Sequence, residues 1–151
     1  MFAKQRILAV IRRNACKINF FCLKGIDANN TAGLWVTDGS ATGTHEITGV
    51  SGTHPAGLSP RYLTVFNGNV LFDGFNANGA LGLWVTDGTS AGTRELTGIS
   101  GANSAGLFSS FVNPDFTAFK GQLPFNGVNA SGIKGAWAAP FGSFVLLVRQ
   151  R

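Results

Sequence analysis

The sequence predicts an all-β chain of short antiparallel strands, on three observations. The phrase GLWVTDG stands at 33–39 and again at 82–88, and a third Gly-x-Trp follows at 135–137. Glycine reaches 21 of 151 residues and only 13% of the chain is charged, about twice and about half the usual shares, a balance that favours tight turns over helices. Asn67-Gly68 joins two apolar, β-branched runs at 63–66 and 70–75, the strongest short signal for a β-hairpin. With 44% hydrophobic residues the chain can fill one ordinary core, and disorder is not expected.

The repetition sets the organisation. GLWVTDGSATGTHEITG at 33–49 and GLWVTDGTSAGTRELTG at 82–98 are identical at twelve of seventeen positions, with an offset of 49. Upstream, KGIDANNTAGLW, DGFNANGALGLW and NGVNASGIKGAW share their glycines, the Asp or Asn that follows, and Trp35, Trp84 or Trp137. The third copy is offset by 53, and the added residues fall most simply near 108–113. A period near 50 marks a repeat architecture in which each unit is one supersecondary element. The chain divides into a divergent basic segment at 1–16, a first repeat at 17–59 without a clear first strand, a complete second repeat at 60–112, and a third at 113–151 that degenerates after Trp137.

Each strand of the second repeat follows from local chemistry. The runs at 63–66 and 70–75 pair through Asn67-Gly68, 81–86 follows the turn residues at 76–79, and 93–99 follows the loop DGTSAG. One repeat is thus four antiparallel strands with glycine at the joints. Alternation puts Leu83 and Val85 on one face and Trp84 and Thr86 on the other, so neither face is wholly polar. A sheet burying both faces lies between neighbours, as in a propeller whose four-stranded blades are set radially. Thr93, Glu95 and Thr97 share a polar face, as an outer strand requires. The expected fold is therefore three four-stranded antiparallel blade-like repeats, a partial β-propeller with imperfect outer repeats.

The residues LWVTDGTSAGT and LWVTDGSATGT resemble the ELWxxDGT-type repeats of large bacterial proteins. The resemblance spans two full copies and a degraded third. It departs at Gly33 and Gly82, where that family often carries glutamate, and at Ser40, where it carries threonine. It implies a propeller-like fold, a structural or binding role and export to the cell surface or medium, and it brings no catalytic residues.

The net charge of +5 belongs to the ends: six basic residues fall within the first 24 and two close the chain, while the repeated core is mildly acidic. No basic stripe with interleaved aromatics suits nucleic acid. The apolar run ILAVI before Arg12 and Arg13 is too short for a secretory core of roughly 7–15 residues, and no stretch approaches the roughly 20 of a membrane span. Cys16 and Cys22 have no second pair to complete a zinc site; they read as thiols or a local disulfide. After Trp137 the phrase breaks off into AAPFGSFVLLVRQR, where 143–148 could form a replacement fourth strand or a hydrophobic tail. The divergent ends fit capping units or a fragment of a longer array, and the fragment is the expectation.

Asp38-Gly39 and Asp87-Gly88 recur in one loop of each copy. Calcium could use them with the oxygens of Asp27, Asn29 and Asn30, or of Asp73, Asn76 and Asn78. The simpler role is an Asx-turn in which Asp accepts backbone N–H groups and Gly takes positive φ. Asn67 and Gly68 are turn residues in the same sense, with Lys120-Gly121 a looser counterpart. Trp35, Trp84 and Trp137 could stack on sugars, yet their place inside strands points to core packing. His45 and His54 are the only histidines, no serine or cysteine has a nucleophile's context, and GANSAG at 101–106 lacks the Gly-Lys-Ser/Thr of a phosphate loop. The expected function is a non-enzymatic binding or scaffold module without a cofactor, its protein or glycan ligand unspecified. The alternative is a fragment of a carbohydrate-active or other hydrolytic propeller, which requires clustered acids on one rim. Three units fall short of the four to eight that close a propeller, so unless 7–11 and 144–148 fold over the end faces and leave a monomer, uncovered faces predict self-association, two chains completing a six-bladed ring.

Overall fold

The computed structural model describes residues 20–110, 113–139 and 145–147; the segment 1–16, Cys16 and the residues around Ser143 and Val148 lie outside them. Among the described residues the chain is all β, in three antiparallel sheets, none closed. The first sheet holds β1 (Phe21–Ile26), β2 (Ala32–Thr37) and β3 (His45–Glu46) in that order. The second holds β4 (Arg61–Phe66), β5 (Asn69–Phe75), β6 (Leu81–Thr86) and β7 (Arg94–Glu95). The third orders β10 (Val145–Leu147), β9 (Lys134–Ala139) and β8 (Leu123–Val128).

Among the described residues only the second sheet has four strands. Beside β8 the chain at 114–119 makes isolated ladder bonds, from Asn126 N–H to the Pro114 carbonyl at 2.6 Å and from Thr117 N–H to the Pro124 carbonyl at 3.2 Å. Pro114 and Pro124 have no N–H to return, which leaves the ladder too broken for a strand. At the far edge, β10 takes the place that β7 holds in the second sheet, pairing Val145–Leu147 with Ala138, Trp137 and Ala136.

The hairpin turn has positive φ at both residues, 48° at Asn67 and 75° at Gly68, as a two-residue type I′ connection requires. Lys120 and Gly121 take 47° and 74°, and Phe119 and Gln122 exchange both backbone bonds at 2.9 Å. That turn is as tight as the first, not looser, because the sheet's twist selects the turn even where lysine replaces asparagine. A further irregularity sits at the start of β4, where the register slips between Arg61 and Thr64 and Tyr62 takes φ 55°.

β7 is two residues long instead of the seven expected. Leu96 N–H still reaches the Leu83 carbonyl at 2.7 Å, after which the chain turns away through Gly98 at φ 72°. Thr93 corrects the expected polar outer face: it is 4% exposed, and its hydroxyl meets Thr86 Oγ1 at 2.7 Å and the Thr89 carbonyl at 2.6 Å.

Two apolar clusters join the sheets. Leu34 and Val36 of the first sheet pack with Val70, Phe72 and Trp84 of the second. On the other side Leu71, Leu83 and Val85 pack with Leu123, Phe125 and Trp137 of the third. The period-2 alternation of β6 thus supplies both interfaces, and all six of its residues are buried.

Each interface is also strapped by backbone. Between the first two sheets, Ser59 N–H bonds the Ala32 carbonyl while Phe75 N–H bonds the Leu58 carbonyl, both at 2.9 Å. The next joint repeats this with Phe108 to Leu81 at 3.1 Å and Val128 to Leu107 at 2.8 Å. Gly57 permits the close approach: it sits at φ 104°, and a β-carbon there would lie 2.7 Å from the Ala32 carbonyl oxygen.

Candidate functional site

A cleft of about 330 Å³ opens where the second sheet meets the strap leading to the third, lined by Asn76, Asn78, Glu95, Asn103, Ser104 and Leu107 among others. Its size is in the range that holds small ligands. Its polar wall is built from turn residues. Asn76 Oδ1 accepts the N–H groups of Asn78 at 3.1 Å and Ala80 at 3.0 Å, closing an Asx-turn. The same side chain then donates Nδ2–H to both Glu95 oxygens, at 3.1 and 3.4 Å. Gly82 leaves room for that carboxylate, since a β-carbon there would run into it. Asn103 Oδ1 accepts Ala105 N–H at 2.8 Å and its Nδ2 donates to the Asn129 carbonyl at 3.1 Å. The Asn76 and Asn103 amides are therefore committed, and Glu95, which keeps lone pairs beyond its two bonds from Asn76, is the acidic residue lining the cleft.

The first sheet carries a changed version of this wall. Asp27 stands where Asn76 does, its Oδ1 accepting Asn29 N–H at 2.9 Å and Thr31 N–H at 2.7 Å, and Glu46 stands where Glu95 does. The amide–carboxylate bond is thereby replaced by two like charges. Burial, and after it the Asp27 charge, push the Glu46 carboxyl above its ordinary value. A carboxyl raised on folding supports the fold when protonated, and that support is lost as pH rises through its folded pKa. Asp27→Asn is expected to stabilise the protein at neutral pH by about 1 kcal/mol, the scale of one net hydrogen bond at a partly exposed site. The gain should fade as pH drops through the carboxylate range. Asn76→Asp should destabilise by about 1–3 kcal/mol. Urea melts of both variants at pH 7 and pH 4 check the signs.

The recurring Asp-Gly loops spend their carboxylates on the backbone. Asp38 Oδ1 accepts Ser40 N–H at 2.8 Å and Ser40 Oγ–H at 2.7 Å, and Asp87 Oδ1 does the same with Thr89 at 3.0 and 2.7 Å. The Ser40 hydroxyl and then its N–H hold the Asp38 carboxyl below its ordinary value. Gly39 and Gly88 both lie at φ 93°, and the absence of side chains at Gly43 and Gly92 gives the two carboxylates their space. Asp87→Ala is expected to lower stability by about 0.5–2 kcal/mol, the scale of a lost cap. A melting temperature raised by millimolar calcium in the parent but not in the variant would assign Asp87 to a metal. Among the described residues no three His, Cys, Asp or Glu side chains gather as a metal would need.

The remaining candidates are dispersed. Trp84 and Trp137 are fully buried and Trp35 half-buried. His45 is exposed, while His54 Nδ1 accepts Ala56 N–H at 3.1 Å within a strap. Cys22 lies against the first interface. Sequence reasoning missed the Asn76–Glu95 bond and the straps; SGTHPAGL at 51–58 against SGANSAGL at 100–107 carried the signal for the latter. It also missed the ion pair of Arg61 with Asp73, in which Nε and Nη2 donate to the two carboxylate oxygens at 3.0 and 2.7 Å. No helix among the described residues is long and apolar enough to cross a membrane. No family model, curated protein or solved structure matches the chain.

Proposed function

We propose that this chain is a non-enzymatic binding or scaffold module, part of a longer array of propeller-like ELWxxDGT-type repeats from an exported bacterial protein. The observation that supports it is where the recurring polar groups go: Asp38, Asp87, Asn76 and Thr93 are consumed by turns and joints, while the apolar faces are consumed by neighbouring sheets. Such a stack is a rigid support. Glu95, with Asn78 and Ser104 in the same cleft, would recognise a ligand offering hydrogen-bond donors, the hydroxyls of a glycan or the amides of a peptide.

The hydrolytic alternative has one observation in its favour, the Asp27 carboxylate lying close enough to Glu46 to help push the Glu46 carboxyl up, because acid–base hydrolysis uses neighbouring carboxyls. A panel of chromogenic glycosides, esters and phosphate esters separates the two. The binding reading expects no turnover above buffer, and ligands from a glycan or peptide array that are lost when Ser104→Trp fills the cleft. Turnover that disappears in Glu46→Gln would replace it with the hydrolytic one.

A further inference from the structure

The two ends of the stack differ in a way that names a partner. In the second and third sheets the tryptophan face looks toward the preceding sheet: Phe72 stacks on Trp84 with centroids 6.4 Å apart and 17° between planes, and Phe125 on Trp137 at 6.4 Å and 12°. Each aromatic couple is covered by its neighbour, Trp84 by the cluster that holds Leu34 and Val36, Trp137 by the one that holds Leu83 and Val85. The first sheet presents the same face, with Leu23 opposite Trp35 in register and Phe21 opposite Thr37. Phe21, Leu23 and Trp35 are half-buried, not buried, and no described sheet precedes them.

The other end has lost the complementary face. The positions of Leu81, Leu83 and Asp73 are filled in the third sheet by Lys134, Ala136 and Asn126, all exposed, and Val85 is matched by the smaller Ala138, which is buried. Small and polar residues there cannot repeat the apolar joint, whereas the aromatic end keeps what the two internal joints use. Among the described residues, the third sheet of a second copy therefore offers the first sheet no Leu-x-Val face.

We propose that the Phe21–Leu23–Trp35 face is a docking surface for a further sheet of the same repeat class, one bearing the Leu-x-Val strand face of Leu83 and Val85, supplied by another polypeptide segment. This rests on the scaffold reading, and the two internal interfaces are its template. Association buries apolar area on both partners, and its polarity runs one way: the stack grows at the Trp35 end and stops at the Ala136 end.

The full chain can be made to carry its own partner. The variant Lys134→Leu/Ala136→Leu/Ala138→Val restores the missing face. Light scattering of the wild type should show no head-to-tail growth with concentration, whereas the triple variant should assemble, its mass rising past that of a dimer. Adding Trp35→Arg to the variant should return it to the wild-type mass. A triple variant that is folded by circular dichroism yet fails to assemble overturns the proposal, as does assembly that Trp35→Arg leaves unchanged. Should the triple variant not fold, acrylamide quenching of the wild type decides. One quenchable tryptophan of the three means that the Trp35 face is open; none means that the chain covers it, and the proposal fails. Neither failure touches the binding-module reading, which turnover alone would sink.

Discussion

Arg61→Met is expected to lower stability by about 3 kcal/mol at neutral pH, the lower end of what breaking a buried ion pair costs. Asp73 is 0% exposed and Arg61 27%, so the carboxylate stays enclosed when its partner goes, while solvent tempers the loss on the arginine side. Burial already pushes the Asp73 carboxyl up, against the pull of two hydrogen bonds from Arg61. Without the guanidinium nothing but protonation relieves it. The folded pKa then stands further above the unfolded one, so the variant should lose stability as pH rises through the carboxylate range and regain part of it in acid. Arg61→Met/Asp73→Leu should recover most of the loss, since an apolar pair of similar volume tolerates the site. Urea denaturation from pH 4 to pH 8 tests it, and equal losses in the single and double variants would mean that the pair does not act as a unit.

What the sequence made legible was whatever is encoded within a few residues. The strands expected at 63–66, 70–75 and 81–86 from alternation and Asn67-Gly68 are found at 61–66, 69–75 and 81–86, and the two-sided burial of β6 follows from Leu83, Trp84 and Val85 all being apolar. The shortness of β7 did not show, because Thr93, Glu95 and Thr97 alternate correctly whether or not a neighbouring chain is there to pair with them. The Arg61–Asp73 bond joins residues whose alignment depends on a slipped register at Tyr62, which no local pattern announces. The cleft is harder still. Asn76 follows β5 and Glu95 lies in β7 of the same repeat, and Asn103 belongs to a strap whose repetition lies outside the tryptophan-centred phrase. The proline pair that breaks the third sheet was visible as residues but not as an effect, since a proline matters only where its N–H is wanted.

The largest effect is expected from Trp84→Ala, about 3–5 kcal/mol, the range for removing a large aromatic side chain from a core. The indole is fully buried between the first and second sheets, and its Nε1–H donates to the Gly74 carbonyl at 3.1 Å, an acceptor that truncation leaves unsatisfied. Trp137 is equally buried, but its Nε1 has no hydrogen-bond partner, so Trp137→Ala loses packing without a bond and should fall below Trp84→Ala. Trp35 is half-buried on an end face, and Trp35→Ala should cost least of the three. The order Trp84, Trp137, Trp35 in urea melts is the signature of stacked sheets in which position along the stack, and not the repeated sequence around each tryptophan, sets its contribution. Equal losses at all three would mean that each sheet stabilises itself independently. The joints would then carry little, and the proposal that the first sheet awaits a partner would lose its energetic basis.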